Sequence, residues 1–192
     1  KKYFSRRKAR NHFLLLSLIF VLVVPSNVFA QWLNEGGIKT NVLSVTSQST
    51  KIEYVVTQYN ERPVDVNGTE CSQYQIPGSI MLMERGLPQL PSDRRSIVIP
   101  DLAATNYSII DSEYELIETL PVMPSKGHFT RNIDPESVPF VFDEFYSSNS
   151  WYPSENILLD EPYIVRDLRG QTIQFNPMQY NPSEGKLKIC TR

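Results

Sequence analysis

Fourteen prolines are scattered from Pro25 to Pro182 through a chain of 192 residues. Each fixes φ and removes a backbone donor, so evenly spread prolines break long helices and leave strands, edges and turns. The hydrophobic pattern agrees. Beyond Ala30 no dozen residues hold a 3.6-residue apolar period, whereas alternation recurs in Thr40–Ser47, Thr50–Tyr59, Ile80–Met83 and Ser96–Ile99. The run Asn106–Ile117 places Tyr107, Ile109, Tyr114 and Leu116 at even spacing, with Asp111, Glu113 and Glu115 between. Asn67-Gly68 suits the positive φ angles of a type I′ hairpin turn, and Pro77-Gly78, Gly86-Leu87-Pro88 and Asn181-Pro182 are further turn signals. Many short strands with frequent turns predict an all-β antiparallel sandwich or barrel. The length suits one domain.

The charge is divided unevenly. Residues 1–30 carry six basic side chains and no acid; the remaining 162 carry 13 basic and 21 acidic groups, a net charge of −8. An acidic body argues against nucleic acid as a partner. Within the first segment, basic Lys1–Arg10 precedes the apolar run Phe13–Val24, and Val28-Phe29-Ala30 ends before Gln31. This is the order of a cleavable signal peptide, predicting residues 1–30 as the leader, cleavage between Ala30 and Gln31, and a mature domain over 31–192. This run of twelve residues, interrupted by Ser17, falls short of the roughly 20 that a spanning helix needs, so no stable membrane span is expected. The destination is export to a periplasmic, cell-surface or extracellular compartment, where thiols can meet oxidant.

The body offers little for catalysis. His128 lies in a Pro/Ser/Lys/Gly-rich loop, and the thiols Cys71 and Cys190 sit after a hairpin signal and at a strand end. A Cys–His dyad is weaker than the plain structural reading of each residue, and separate thiols are the plainer alternative to a Cys71–Cys190 disulfide, which stays open. No ligand spacing indicates a metal, and no glycine-rich loop indicates a phosphate cofactor. Asp111–Glu118 reads as a solvated strand face. Arg166-Asp167-Leu168-Arg169-Gly170-Gln171 reads as a tight turn between strands Pro162–Leu168 and Gln171–Asn176, with Gly170 at the special backbone position.

A series of segments carries more information than any single motif. Gly86-Leu87-Pro88-Gln89-Leu90-Pro91 leads into Ser96-Ile97-Val98-Ile99-Pro100. Pro124-Ser125-Lys126-Gly127 precedes Thr130-Arg131 and Asp134-Pro135, and Pro139-Phe140-Val141-Phe142 precedes Trp151-Tyr152-Pro153. Glu161-Pro162-Tyr163-Ile164-Val165 through Gln171 is followed by Asn176-Pro177-Met178-Gln179-Tyr180-Asn181-Pro182. In order and spacing these resemble the N-terminal propeptide of gingipain-type, clostripain-fold cysteine peptidases.

The resemblance implies an antiparallel β-sandwich that assists folding of an Arg- or Lys-specific catalytic domain and keeps it latent. That domain is the implied partner, its Cys and His lying beyond Arg192. It also implies a basic anchor for the specificity pocket, which doubles as an early processing site. Arg131 matches that position, with Lys126 as the second candidate. The chain itself is then a monomeric inhibitor without catalytic residues, metal or cofactor. The competing reading is a secreted adhesive or carbohydrate-binding sandwich, for which Trp32 and Trp151 are the only tryptophans available.

Overall fold

The computed structural model describes residues 36–102 and 104–192. The predicted leader and its Ala30–Gln31 junction, and Trp32, lie outside them.

The chain runs as short strands: β1 (Ile38–Val45), β2 (Thr50–Val56), β3 (Asn60–Val66), β4 (Thr69–Gln75), β5 (Ile80–Met81), β6 (Pro91–Val98), β7 (Tyr114–Glu118), β8 (Ile157–Leu159), β9 (Tyr163–Val165), β10 (Leu168–Phe175), β11 (Met178–Asn181) and β12 (Lys186–Cys190). The only helical turns among the described residues are 3-10, at Pro135–Ser137 and Glu144–Ser147. Every strand pairing is antiparallel. One sheet runs β5-β6-β10-β8, with β9 also on β10; a second runs β11-β12-β7; hairpins β1-β2 and β3-β4 complete the set. Backbone bonds stitch the pieces together. Val56 N–H donates to Thr191 C=O, and Ser72 exchanges bonds with Pro121 and Met123. The result is an all-β sandwich.

Alternating residues from these layers meet in one core. Tyr74, Leu90, Val122, Met178, Leu187 and Ile189 are fully buried there, and Tyr54 stacks on Phe175 at 4.7 Å. The hairpin at Asn67-Gly68 forms as its sequence predicts, with φ of 54° and 82° and Gly68 N–H donating to Asp65.

Two expectations change, and one open alternative is decided. Only Tyr114–Glu118 of the Asn106–Ile117 run is laddered. Tyr107, Ile109 and Ile110 stay exposed, because this stretch forms no backbone ladder with the strands near it; the Tyr107 hydroxyl reaches across, donating to Ile157 C=O. In the Arg166–Gln171 block the positive φ belongs to Arg166 (55°), not Gly170. Gly170 lies inside β10, and a Cβ there would stand 2.8 Å from the Tyr163 ring, so the glycine makes room for a side chain across the strand pair. The disulfide left open by the sequence does not form. Cys71 packs with Val66 and Met123, while Cys190 belongs to the main core, and both thiols are free.

Candidate functional site

Gly86-Leu87-Pro88-Gln89 runs beside Met123-Pro124-Ser125. Gly86 N–H donates to Ser125 C=O at 2.8 Å, Ser125 N–H to Leu87 C=O at 2.8 Å, and Gln89 N–H to Met123 C=O at 2.9 Å. This pairing explains why two Pro-rich stretches so far apart in the chain belong to one pattern. Each supplies extended backbone that Pro favours, with its few remaining donors used.

A loop leaves this platform at Ser125 and returns through the 3-10 turn Pro135–Ser137. At its exit, the buried Ser125 hydroxyl accepts from Gly127 N–H at 3.0 Å, and Gly127 adopts φ 88° against Arg85. At its return, the Asp134 carboxylate accepts from Glu136 N–H at 3.0 Å. Across the neck, the Lys126 ammonium donates to Pro135 C=O at 2.8 Å and lies 4.4 Å from the centre of the Phe140 ring. The loop is therefore closed at its base.

Its apex is a turn in which Ile133 N–H donates to Thr130 C=O at 3.0 Å. Arg131 occupies the first corner of that turn, exposed, with no hydrogen bond or ion pair to its guanidinium. The two basic candidates thus separate. Lys126 holds the loop shut, and Arg131 is presented by it. The resemblance placed Arg131 before Lys126, but the physical difference between them was not visible in the sequence, because the partners of Lys126 lie nine and fourteen residues away.

Gly127→Ala should disturb this aim. An alanine at φ 88° is strained, and its Cβ would sit 3.1 Å from the Arg85 Cβ. A loss of about 1–2 kcal/mol in stability is expected, visible as a lower denaturant midpoint. An unchanged midpoint would mean that the neck is softer than its geometry indicates.

Other sequence candidates do not assemble into a reactive centre. Cys71 and Cys190 are buried, and burial pushes both thiols up, the opposite of what an activated thiolate needs. His128 is exposed on the same loop as Arg131. Trp151 does not present an open platform, since the Lys188 ammonium sits 5.0 Å from its ring centre.

Sequence reasoning treated Asn176–Pro182 as a matching segment with a turn at its end, and missed its role as a polar core. Asn176 accepts from the Ser92 hydroxyl at 2.8 Å and from the Gln174 amide at 3.0 Å, and donates to Glu155 C=O at 3.1 Å. Gln179 donates to Pro153 C=O at 2.7 Å, and Asn181 to the Asn149 side chain at 3.0 Å. Buried amides demand such partners, and here they bind loop 149–156 to β10 and β11. Uncharged Asn and Gln in a Pro-bounded strand were the available signal.

The geometry sets one exposed arginine at the apex of a loop closed at its base, on an all-β domain. The chain belongs to the Propeptide_C25 family, whose model matches residues 34–192, and it is a gingipain-type propeptide domain. It is 34% identical to Gingipain R1 of Porphyromonas gingivalis over 96% of this chain, and spans 19% of that protein's length. Its fold matches the structure described as the complex of P. gingivalis RgpB pro- and mature domains, with a TM-score of 0.75 at 27% identity over 79% of this chain and 78% of the other. The structure describing zymogenic latency of gingipain K from the same organism shares the fold, with a TM-score of 0.63 at 20% identity over 80% of this chain and 87% of that one.

Proposed function

We propose that this domain holds a gingipain-like cysteine endopeptidase latent and assists its folding, with Arg131 seated in the primary specificity pocket of the catalytic domain. The observation that carries the reading is the free guanidinium at the apex of a loop whose neck is already closed. A loop ordered before binding loses little entropy on binding, and a planar guanidinium matches a pocket carboxylate bidentately. The structure solved for the RgpB relative contains a pro- and a mature domain together, which supports a catalytic domain as the partner. Lys126 is the poorer anchor because its ammonium is engaged within the loop. An apex arginine is also a bond type that an Arg-specific peptidase can cut, so the same residue serves as an early processing site. The test is an inhibition constant against a separately produced Arg-specific gingipain catalytic domain, for the wild-type chain and Arg131 variants. Lack of any dependence on residue 131 would refute the anchor.

Export through the signal peptide belongs to the same reading, supported by the basic, apolar and small-residue order of residues 1–30. N-terminal sequencing of the exported product should begin at Gln31. An exported chain that retains Lys1 would overturn this part.

A further inference from the structure

We infer that the Arg166–Asp167 bond is a second substrate bond for the Arg-specific peptidase, and that cutting it dismantles the domain. This rests on the function proposed above.

Most arginines among the described residues are engaged. Arg62 and Arg94 donate to glutamine side chains, Arg95 pairs with Asp93, Arg169 donates to Pro100 C=O, and Arg192 meets three carboxylates. Arg85, Arg131 and Arg166 remain without a side-chain partner. The backbone after Arg85 is pinned, since Gly86 both donates to Ser125 and accepts from Asp143. Arg131 is the proposed anchor. Arg166 stands apart from both.

Arg166 and Asp167 form the two-residue turn between β9 and β10, and Arg166 is held at φ 55°, where a side chain is disfavoured. A glycine would sit there freely. The turn is flanked by Ile164, Val165 and Leu168, exposed by 75%, 58% and 59%. β9 is an edge strand of three residues, none buried, joined to β10 by three register pairs and absent from both core clusters. Its Tyr163 ring packs over Gly170. A segment with so little buried surface opens at small cost, and exposed tips are where proteolytic nicks concentrate. Peeling β9 from β10 would deliver Tyr163–Arg166 as an extended chain ending in an arginine. By contrast, Arg94 and Arg95 lie inside β6, paired with Gln174 and Ile173 of β10.

In the reaction, the peptidase thiolate attacks the Arg166 carbonyl carbon, and the C–N bond to Asp167 breaks as the leaving amine takes a proton. Water then splits the thioester, giving the Arg166 carboxylate and restoring the thiol. The cut places β10, β11 and β12, with Phe175, Met178, Tyr180, Leu187 and Ile189, on a separate piece. That piece stays interleaved with β6 and β7 only by association, so folding becomes dependent on concentration.

The experiment exposes the native chain to a molar excess of an Arg-specific gingipain catalytic domain, so that free enzyme remains once each chain has bound one copy, and in parallel to trypsin, with fragments identified by mass spectrometry. The expected product begins at Asp167, from both proteases. Arg166→Lys should abolish it with the Arg-specific enzyme and retain it with trypsin, and Tyr163→Ala should speed it severalfold with both. The nicked chain should melt at a temperature that falls on dilution. Cleavage at Arg94, Arg95 or other bonds with no fragment beginning at Asp167 would overturn the inference. If the enzyme is inhibited through Arg131 but never cuts at Arg166, this inference alone fails. If trypsin cuts at Arg166 while the catalytic domain is neither inhibited by the chain nor able to cut it, the function proposed above fails, and this inference with it.

Discussion

Arg131→Ala is expected to raise the inhibition constant against an Arg-specific catalytic domain by about thirtyfold or more. Removing one member of a desolvated, charge-assisted pair costs about 2–5 kcal/mol, part of it from the pocket carboxylate left unpaired, and each 1.4 kcal/mol is about tenfold. The loss should fall on affinity and spare folding, because the Arg131 side chain is exposed and takes part in no hydrogen bond or ion pair. Arg131→Lys should lie between, since ammonium keeps the charge without the fork. Lys126→Met should have a smaller effect of a different kind. It frees the loop neck by removing the bond to Pro135, so the apex must be ordered on binding. Thermal melts of each variant separate loss of the anchor from loss of the fold. Equal constants for wild type and Arg131→Ala, with Lys126→Met strongly impaired, would transfer the anchor role to Lys126.

The second large effect concerns alkaline pH. Burial pushes the phenols of Tyr74 and Tyr180 up to about 12, and those of Tyr54 and Tyr152 also to about 12. Tyr146 moves in the same direction for the same reason. An unfolded phenol ionises near 10. The folded state therefore retains protons that the unfolded state releases, and the phenols leave stability intact below about pH 10 and lower it between about pH 10 and 12. Each such group costs about 1.4 kcal/mol per pH unit in that window, so the fully buried Tyr74 and Tyr180 together remove on the order of 5 kcal/mol by pH 12. That is comparable to the whole stability of many domains. Urea midpoints should be flat from about pH 7 to 8, begin to fall as the unfolded thiols of Cys71 and Cys190 ionise at about 8.5, and drop steeply above about pH 10. Tyr74→Phe should make the drop shallower, while lowering stability at neutral pH through loss of the hydroxyl bond to Glu61. A midpoint independent of pH up to about 12 would contradict the buried placement of these rings.

The strand content was legible because period-two alternation survives wherever one face of a strand is buried. β1, β2 and β6 fall within or beside their predicted runs. The β3-β4 hairpin was legible from its turn alone, since only Asn-Gly supplies two positive φ angles so cheaply. Residues 106–113 alternate without pairing into a ladder. Alternation records a chemical pattern, and whether a neighbour arrives to pair with it is decided elsewhere in the chain. The Gly170 reading failed for a related reason. Glycine either turns the chain or clears space, and only the placement of Tyr163 across the strand pair shows which. At the loop, the resemblance singled out Arg131 and Lys126, but their division of labour depends on Pro135 and Phe140. The burial of the amides of Asn176, Gln179 and Asn181 left no local mark in the sequence, because their partners, residues 149–155, come from a distant loop.

The central claim is that this domain restrains a gingipain-type catalytic domain through the Arg131 loop. Titrating a fixed amount of Arg-specific catalytic domain with the purified chain, and following hydrolysis of an arginyl substrate, tests it most directly. The account predicts that activity falls to near zero at about one chain per enzyme, and that the same titration with Arg131→Ala needs about thirtyfold more chain. Full activity in the presence of a large excess of folded wild-type chain would contradict it.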